Sequence, residues 1–249
     1  GRNFCNKIWN SYRLVQGWKV DESLQQSDVN KVAVNWFKNK LSQTINTVED
    51  HYSKFRISDA LMSIYKLFWD DYCSWYLEAV KPAYGESIDK ETYDATNCFF
   101  SSLLKMIHPV MPFITEELWQ SMENRAEGET IMFQRTPEAS DFDQAYIENF
   151  EMAQEAVNGI RGIRQQKNIS PKEALELKYK GAFPAEFISI IEKLANISST
   201  WSVVTASTPQ PNEFNCTSSN LSFLPTKSAV AYNLEWNAHW STTRRGRLA

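Results

Sequence analysis

The sequence predicts a mainly α protein: an antiparallel helical bundle followed by a small α+β unit. Three observations carry this. Through residues 1–122 the apolar side chains recur three or four apart, the spacing of one helix face. A polar stretch with Pro137 then interrupts the pattern near 125–140. From ALELKYK onward, apolar and polar residues alternate as they do on a strand. The expected divisions are a bundle over 1–135, a connecting helix with the α+β unit over 141–235, and a tail without regular structure over 236–249.

The first helix is expected over 2–15, where Phe4, Ile8, Tyr12 and Val15 share a face and Asn3, Asn6, Asn10 and Arg13 line another. A polar stretch at 19–28 breaks it. The second is expected over 29–53, with Val32, Trp36, Leu41, Ile45 and Val48 inward. Ser58 would cap a third helix over 59–81, stopped by Pro82. Its inner face would be Leu61, Ile64, Tyr65, Phe68, Tyr72, Trp75 and Ala79. A fourth is expected over 89–107 and ends at His108-Pro109, because proline pushes the residue before it out of helical geometry. PFITEELWQSM restarts a helix, with Thr115 as its cap and Glu116 and Glu117 suited to its positive end. These are about five helices with short connections. A helix over 143–167 follows, then a strand at ALELKYK, a helix through PAEFISIIEKLANIS, and strands at WSVVTAS and LSFLPTKSAVAYNL. Between Ser198 and Asn220, 15 of 23 residues are Ser, Thr, Asn or Pro, which reads as loop or disorder.

Composition narrows the function. At 249 residues and 43% hydrophobic, the chain can bury a substantial core. No apolar run reaches the ~20 residues of a membrane span, and no signal peptide opens the chain. The expectation is a soluble, monomeric, cytoplasmic protein that does not bind membranes. Cys5, Cys73, Cys98 and Cys216 are scattered, as are His51, His108 and His239, so no metal site is expected. The net charge of −4 is uneven: residues 51–150 carry 8 Lys/Arg against 17 Asp/Glu, and 151–249 carry 11 against 8. A broad polyanion-binding surface is thereby excluded, and nucleic acid would be met on a limited face.

No catalytic apparatus is visible. Asp70, Asp71 and Glu78 in FWDDYCSWYLEAVKP have no histidine beside them, and surface charge on a helix accounts for them. No nucleotide-phosphate loop and no nucleophile motif occurs. Two basic stripes remain. In VNGIRGIRQQKNISP, Arg161, Arg164 and Asn168 fall near one helix side with Lys167 at its flank, and Gly159 and Gly162 lie between. Each glycine costs ~1 kcal/mol against alanine, which close approach of another backbone would offset. The first helix offers Asn3, Asn6, Asn10 and Arg13 with Lys7 beside them. Amides and guanidinium groups suit the sugars, base edges and phosphates of a folded RNA. A solvated face is the competing reading of both stripes.

Four stretches, GRNFCNKIWNSYRLV, FWDDYCSWYLEAVKP, HPVMPFITEELWQ and IRGIRQQKNISP followed by LELKY, resemble the C-terminal part of class I aminoacyl-tRNA synthetases, the valyl branch most closely. The third is shared with leucyl and isoleucyl enzymes. The likeness covers roughly residues 1–200. It implies a helical anticodon-binding domain, then a small α+β connection, with valine tRNA as partner. It also implies a parent ligase whose ATP (and Mg) would bind in a catalytic domain that this fragment lacks, leaving it no cofactor of its own. The resemblance carries Asn3, Asn6, Lys7, Asn10, Arg13, Arg161, Arg164, Lys167 and Asn168 over as candidate RNA contacts, with Phe4 or Trp9 as stacking aromatics. The FW/WY segment is carried over mainly as bundle core. Gly162-Ile163-Arg164 stands where the family tends to have Asn-Ile-Arg, which implies a looser helix. The alternatives are the matching domain of a leucyl or isoleucyl enzyme, and a helical scaffold without RNA, which the acidic middle favours.

Overall fold

The computed structural model describes residues 1–180, 183–203 and 213–217 of the protein. It is mainly helical and divides into two compact units, Gly1–Glu148 and the chain from Asn149 on.

The first unit is the bundle. It contains α1 (Arg2–Gln16), α2 (Asp28–Ser53), α3 (Ile57–Lys66), a π-helix over Leu67–Tyr76, α4 (Leu77–Val80), α5 (Lys90–Ile107) and α6 (Pro112–Met122). Side-chain caps set two of the starts. Ser27 accepts the Asn30 N–H at the head of α2, and Asp89 accepts the Thr92 N–H at the head of α5. The Asn30 side chain also donates to Asp89 at 2.9 Å, so the two helix starts are tied together. Beside them the short strands β1 (Lys19–Asp21) and β2 (Ser87–Asp89) pair in parallel. The stretch after α1 is therefore partly a strand, although its sequence reads only as a break.

Two expected caps are corrected. Ser58 lies inside α3, whose N-cap position is Arg56, with Arg56 paired to Asp59 at 2.7 Å. Thr115 lies inside α6, which starts at Pro112; its hydroxyl bonds back to the Met111 carbonyl and to His108 Nδ1. Proline at a first helical turn loses no hydrogen bond, so the helix can begin there.

The third expected helix is also three pieces rather than one. In its π-helical middle, the pairs Leu67/Phe68, Tyr72/Cys73 and Tyr76/Leu77 are buried. They recur every four to five residues, as the i→i+5 bonding of a π-helix requires. The shorter α period misphases the face within this segment, so Trp75 is only half-buried; Tyr65, which precedes it on α3, is also not inside but 38% exposed. The core around it is aromatic. Phe37 packs against Tyr72, Tyr76 and Phe99, with ring centroids 5.3, 5.1 and 5.0 Å away. The buried Tyr76 hydroxyl is satisfied by Thr96 Oγ1 at 2.7 Å.

The polar stretch after α6 is tied to that helix through residue 131. Arg125 lies 3.3 Å over the Trp119 ring, Glu116 accepts from the Thr130 hydroxyl and the Ile131 N–H, and Ile131 is buried. Burial works against the Glu116 charge, but these hydrogen bonds and one from Gln120 hold its carboxyl below the usual value. The next helix, α7 (Gln144–Lys167), begins on α2: Asn39 accepts the Asp143 N–H, and Gln43 donates to Gln144. The two units divide between Glu148 and Asn149, within α7.

In the second unit, α7 buries Phe150, Ala153, Val157 and Ile160. Then come β3 (Leu175–Lys180), α8 (Ile188–Ala195), β4 (Ile197–Val203) and β5 (Glu213–Thr217). The sheet order is β4-β3-β5: β3 runs parallel to β4 and antiparallel to β5. A parallel pair needs a crossover, and α8 supplies it. Asn196, left-handed at φ 52°, ends that helix earlier than expected. Residues 198–220, whose composition reads as loop or disorder, include most of β4 and all of β5; the strand expected at WSVVTAS overlaps the end of β4. The strand expected at LSFLPTKSAVAYNL and the 236–249 tail lie outside the described residues. Among the described residues no helix is long and apolar enough to cross a membrane.

Candidate nucleic-acid interface

The outer face of α1 is built by its inner one. Ile8, Ser11 and Val15 are buried against the bundle, which turns Asn3, Asn6, Asn10 and Arg13 to solvent, all of them exposed. Arg2 and Trp9 share that side, and Trp9 is 41% exposed. Over its fifteen residues α1 carries Arg2, Lys7 and Arg13 and no carboxylate, in a chain whose net charge is −4. Cations without neighbouring acids give a local positive potential that the whole-chain charge conceals.

On one flank of this face the bundle adds aromatic surface. Lys7 is half-buried, with its ammonium 5.1 Å from the Trp69 ring centre. Phe4 packs on Tyr65, Phe68 and Trp69, so its ring mainly joins α1 to the helix beneath it. Below lies Cys73, whose thiol burial pushes up to about 12, too high for a reactive thiolate at neutral pH. The other flank opens on a polar cavity of about 530 Å³ lined by Gln16, Tyr93, Asn97, Asp94, Lys105 and Glu123 among others. Its two carboxylates against one ammonium make it a poor seat for phosphate.

The second stripe behaves differently. Arg164 is only 5% exposed. Its Nη1 donates to the carbonyls of Ser170 and Glu173 at 2.9 and 2.8 Å, and its Nη2 to those of Ala195 and Asn196 at 3.0 Å each. Arg161 Nη2 donates to the Leu194 carbonyl at 3.1 Å. Both arginines thus serve the carbonyls that the end of α8 leaves without helical partners, where the helix dipole also favours a cation. Asn168 has φ 55° and closes α7, with the Ile169 N–H returning to the Arg164 carbonyl at 2.9 Å. The Arg164 guanidinium, enclosed by protein carbonyls, is therefore not placed to meet RNA, contrary to expectation. Asn168 has a structural reason for its place. Arg161, Lys167 and Asn168 remain exposed.

The two glycines give a further correction. Among the described residues a Cβ added at Gly159 or Gly162 would meet nothing within 4 Å, so no other described backbone closes on them, and α7 runs through both without a break. By sequence Tyr65 fits a helical inner face and Trp69 belongs to the segment expected mainly as core, yet Tyr65 is exposed and Trp69 half-buried. The signal that could have found them is their i, i+4 spacing beside the unusual Asp-Asp pair.

Residues 34–179 match the family model described as the anticodon-binding domain of tRNA ligase. The chain is 53% identical over 199 residues to the valine–tRNA ligase of Parabacteroides distasonis, covering 80% of this chain and 23% of that protein. It is 51% identical over 202 residues to that of Bacteroides thetaiotaomicron, with the same coverages of 80% and 23%. With the valine–tRNA ligase of Christiangramia forsetii the identity is 43% over 237 residues, 94% of this chain and 27% of the relative. The chain thus spans about a quarter of the length of these relatives. A match over more than half of the chain, on a mainly helical architecture, places it: the chain belongs to the anticodon-binding domain family of tRNA ligases.

Proposed function

We propose that this chain is the tRNA-recognition portion of a valine–tRNA ligase and docks the anticodon arm of valine tRNA on the outer face of α1. One observation carries the reading: in an acidic protein, α1 turns Asn3, Asn6, Asn10 and Arg13 to solvent, with Lys7 beside them and no carboxylate on the helix. Arginine and lysine meet phosphates, while asparagine amides donate to and accept from base edges and sugars. Arg161, Lys167 and Asn168 are secondary candidates.

The parent enzyme would use ATP and Mg to activate valine and pass the acyl group to the tRNA end, in the cytoplasm and as a monomer. This segment would bind and position. Anticodon contacts are remote from the reacting bond, so their binding energy goes into orienting the acceptor end.

Filter binding of valine tRNA to the full chain tests the reading, with Asn10→Ala/Arg13→Ala as the variant. The expected loss is about 10- to 100-fold, as for one or two charge-assisted contacts. The salt dependence should flatten by roughly one phosphate's worth. Equal affinity for wild type and variant would refute α1 docking. Preference for isoleucine or leucine tRNA would refute the valine assignment, and no tRNA binding at all would favour the scaffold reading.

A further inference from the structure

We propose that Tyr65 and Trp69 form a platform on which an unpaired base of the RNA bound at α1 stacks. This deepens the docking reading above and rests on it.

The two rings already lie as a stack, with centroids 5.6 Å apart and planes at 17°. They are held from behind: Phe4 contacts Tyr65 at 4.9 Å and Trp69 at 6.4 Å, and Lys7 sits over the Trp69 ring. Held rings lose little freedom when a ligand arrives, which favours binding. Tyr65 is still 38% exposed. Met62, about one turn earlier on α3, is 54% exposed.

A wholly apolar partner does not fit what surrounds these rings. Lys7 of α1 lies over the Trp69 ring, Asn3 is exposed next to Phe4 in sequence, Lys66 is exposed next to Tyr65, and Asp70, next to Trp69, is the exposed acidic neighbour. Parallel aromatics next to amides and ammonium groups match single-stranded nucleic acid, whose bases present flat faces and whose backbone is anionic. Every base has such a face, so the platform adds affinity without choosing sequence. Selection would rest with the amides of α1. The two elements thus divide the work: α1 reads edges and phosphates, and the Tyr65–Trp69 pair holds a splayed base in place.

The test compares binding of a valine tRNA transcript to the full chain and to Tyr65→Phe, Tyr65→Leu and Asn10→Ala/Arg13→Ala. Tyr65→Phe keeps the ring and should bind within about twofold of wild type, whereas Tyr65→Leu should lose about 5- to 100-fold, the usual worth of one stacked base. Substituting 2-aminopurine at each anticodon-loop position in turn should reveal one position whose fluorescence is quenched by wild type and not by Tyr65→Leu. This second readout does not depend on affinity alone. If Tyr65→Leu binds like wild type while the α1 variant weakens, the platform is wrong and α1 docking stands. If Tyr65→Phe loses as much as Tyr65→Leu, the hydroxyl and not the ring is responsible, and stacking is again wrong. If neither Tyr65→Leu nor the α1 variant weakens binding, both ideas fail together.

Discussion

Two segments of this chain look alike in sequence and end in opposite environments. α1 and the last turns of α7 each carry cations and asparagines on one side of a helix. On α1 they face solvent; at the end of α7, Arg164 is enclosed and donates four hydrogen bonds to main-chain carbonyls. What separates them is the company each helix keeps. α7 ends beside the C-terminus of α8, where carbonyls lack helical donors, and a guanidinium with five N–H groups is the side chain best shaped to serve several at once. The outward side of α1 has no such acceptors, so its donors remain available to a ligand. Cation spacing alone cannot tell a ligand-facing arginine from one that completes the fold.

The largest expected effect bears on that contrast directly. Arg164→Ala leaves four carbonyls without their donor and should destabilise the second unit by about 3–5 kcal/mol. Urea unfolding followed by a signal from that unit measures it. Arg164→Lys should recover little, because an ammonium cannot span the same fork. A fully stable Arg164→Ala protein would dissolve the distinction between the two stripes.

Next in size is a gain. Gly159→Ala and Gly162→Ala should each add up to about 1 kcal/mol, since a methyl at either position meets open space and removes glycine's entropy cost. A thermal melt reads this. If stability rises but valine tRNA affinity falls, the glycines serve close approach of the RNA itself, and the end of α7 regains a binding role.

Arg161→Ala comes third. Its bond to Leu194 lies at the surface, so a loss of about 0.5–1 kcal/mol is expected in the same unfolding experiment. The smallest stability effect belongs to Asn10→Ala/Arg13→Ala, within about 0.5 kcal/mol of wild type, because those side chains touch solvent. A large loss there would mean that α1's outer row is part of the fold and not a free surface.

Much of the architecture is legible in the chain because helix faces announce themselves locally. Ile8 and Val15, Val32 through Val48, and Phe100 through Ile107 are buried where their spacing puts them. The failures share one cause, which is that some partners lie far off in sequence. Trp75 fits an inner face at the α period because nothing local reveals that the helix widens at Leu67. β1 has no local signature because its strand partner is 68 residues away, at Lys19↔Ser87. Thr115 resembled a cap because the proline three residues before it already begins the helix.

The sequence by itself determined which residues are apolar and at what period, and so the helical bundle, the change to strands after α7, and the family likeness. It also determined that α1 would carry three cations and no acid. Only the tertiary structure decided which polar groups stay at the surface. That choice depends on where unsatisfied carbonyls and packed rings come to lie, and those positions exist only once distant segments have met.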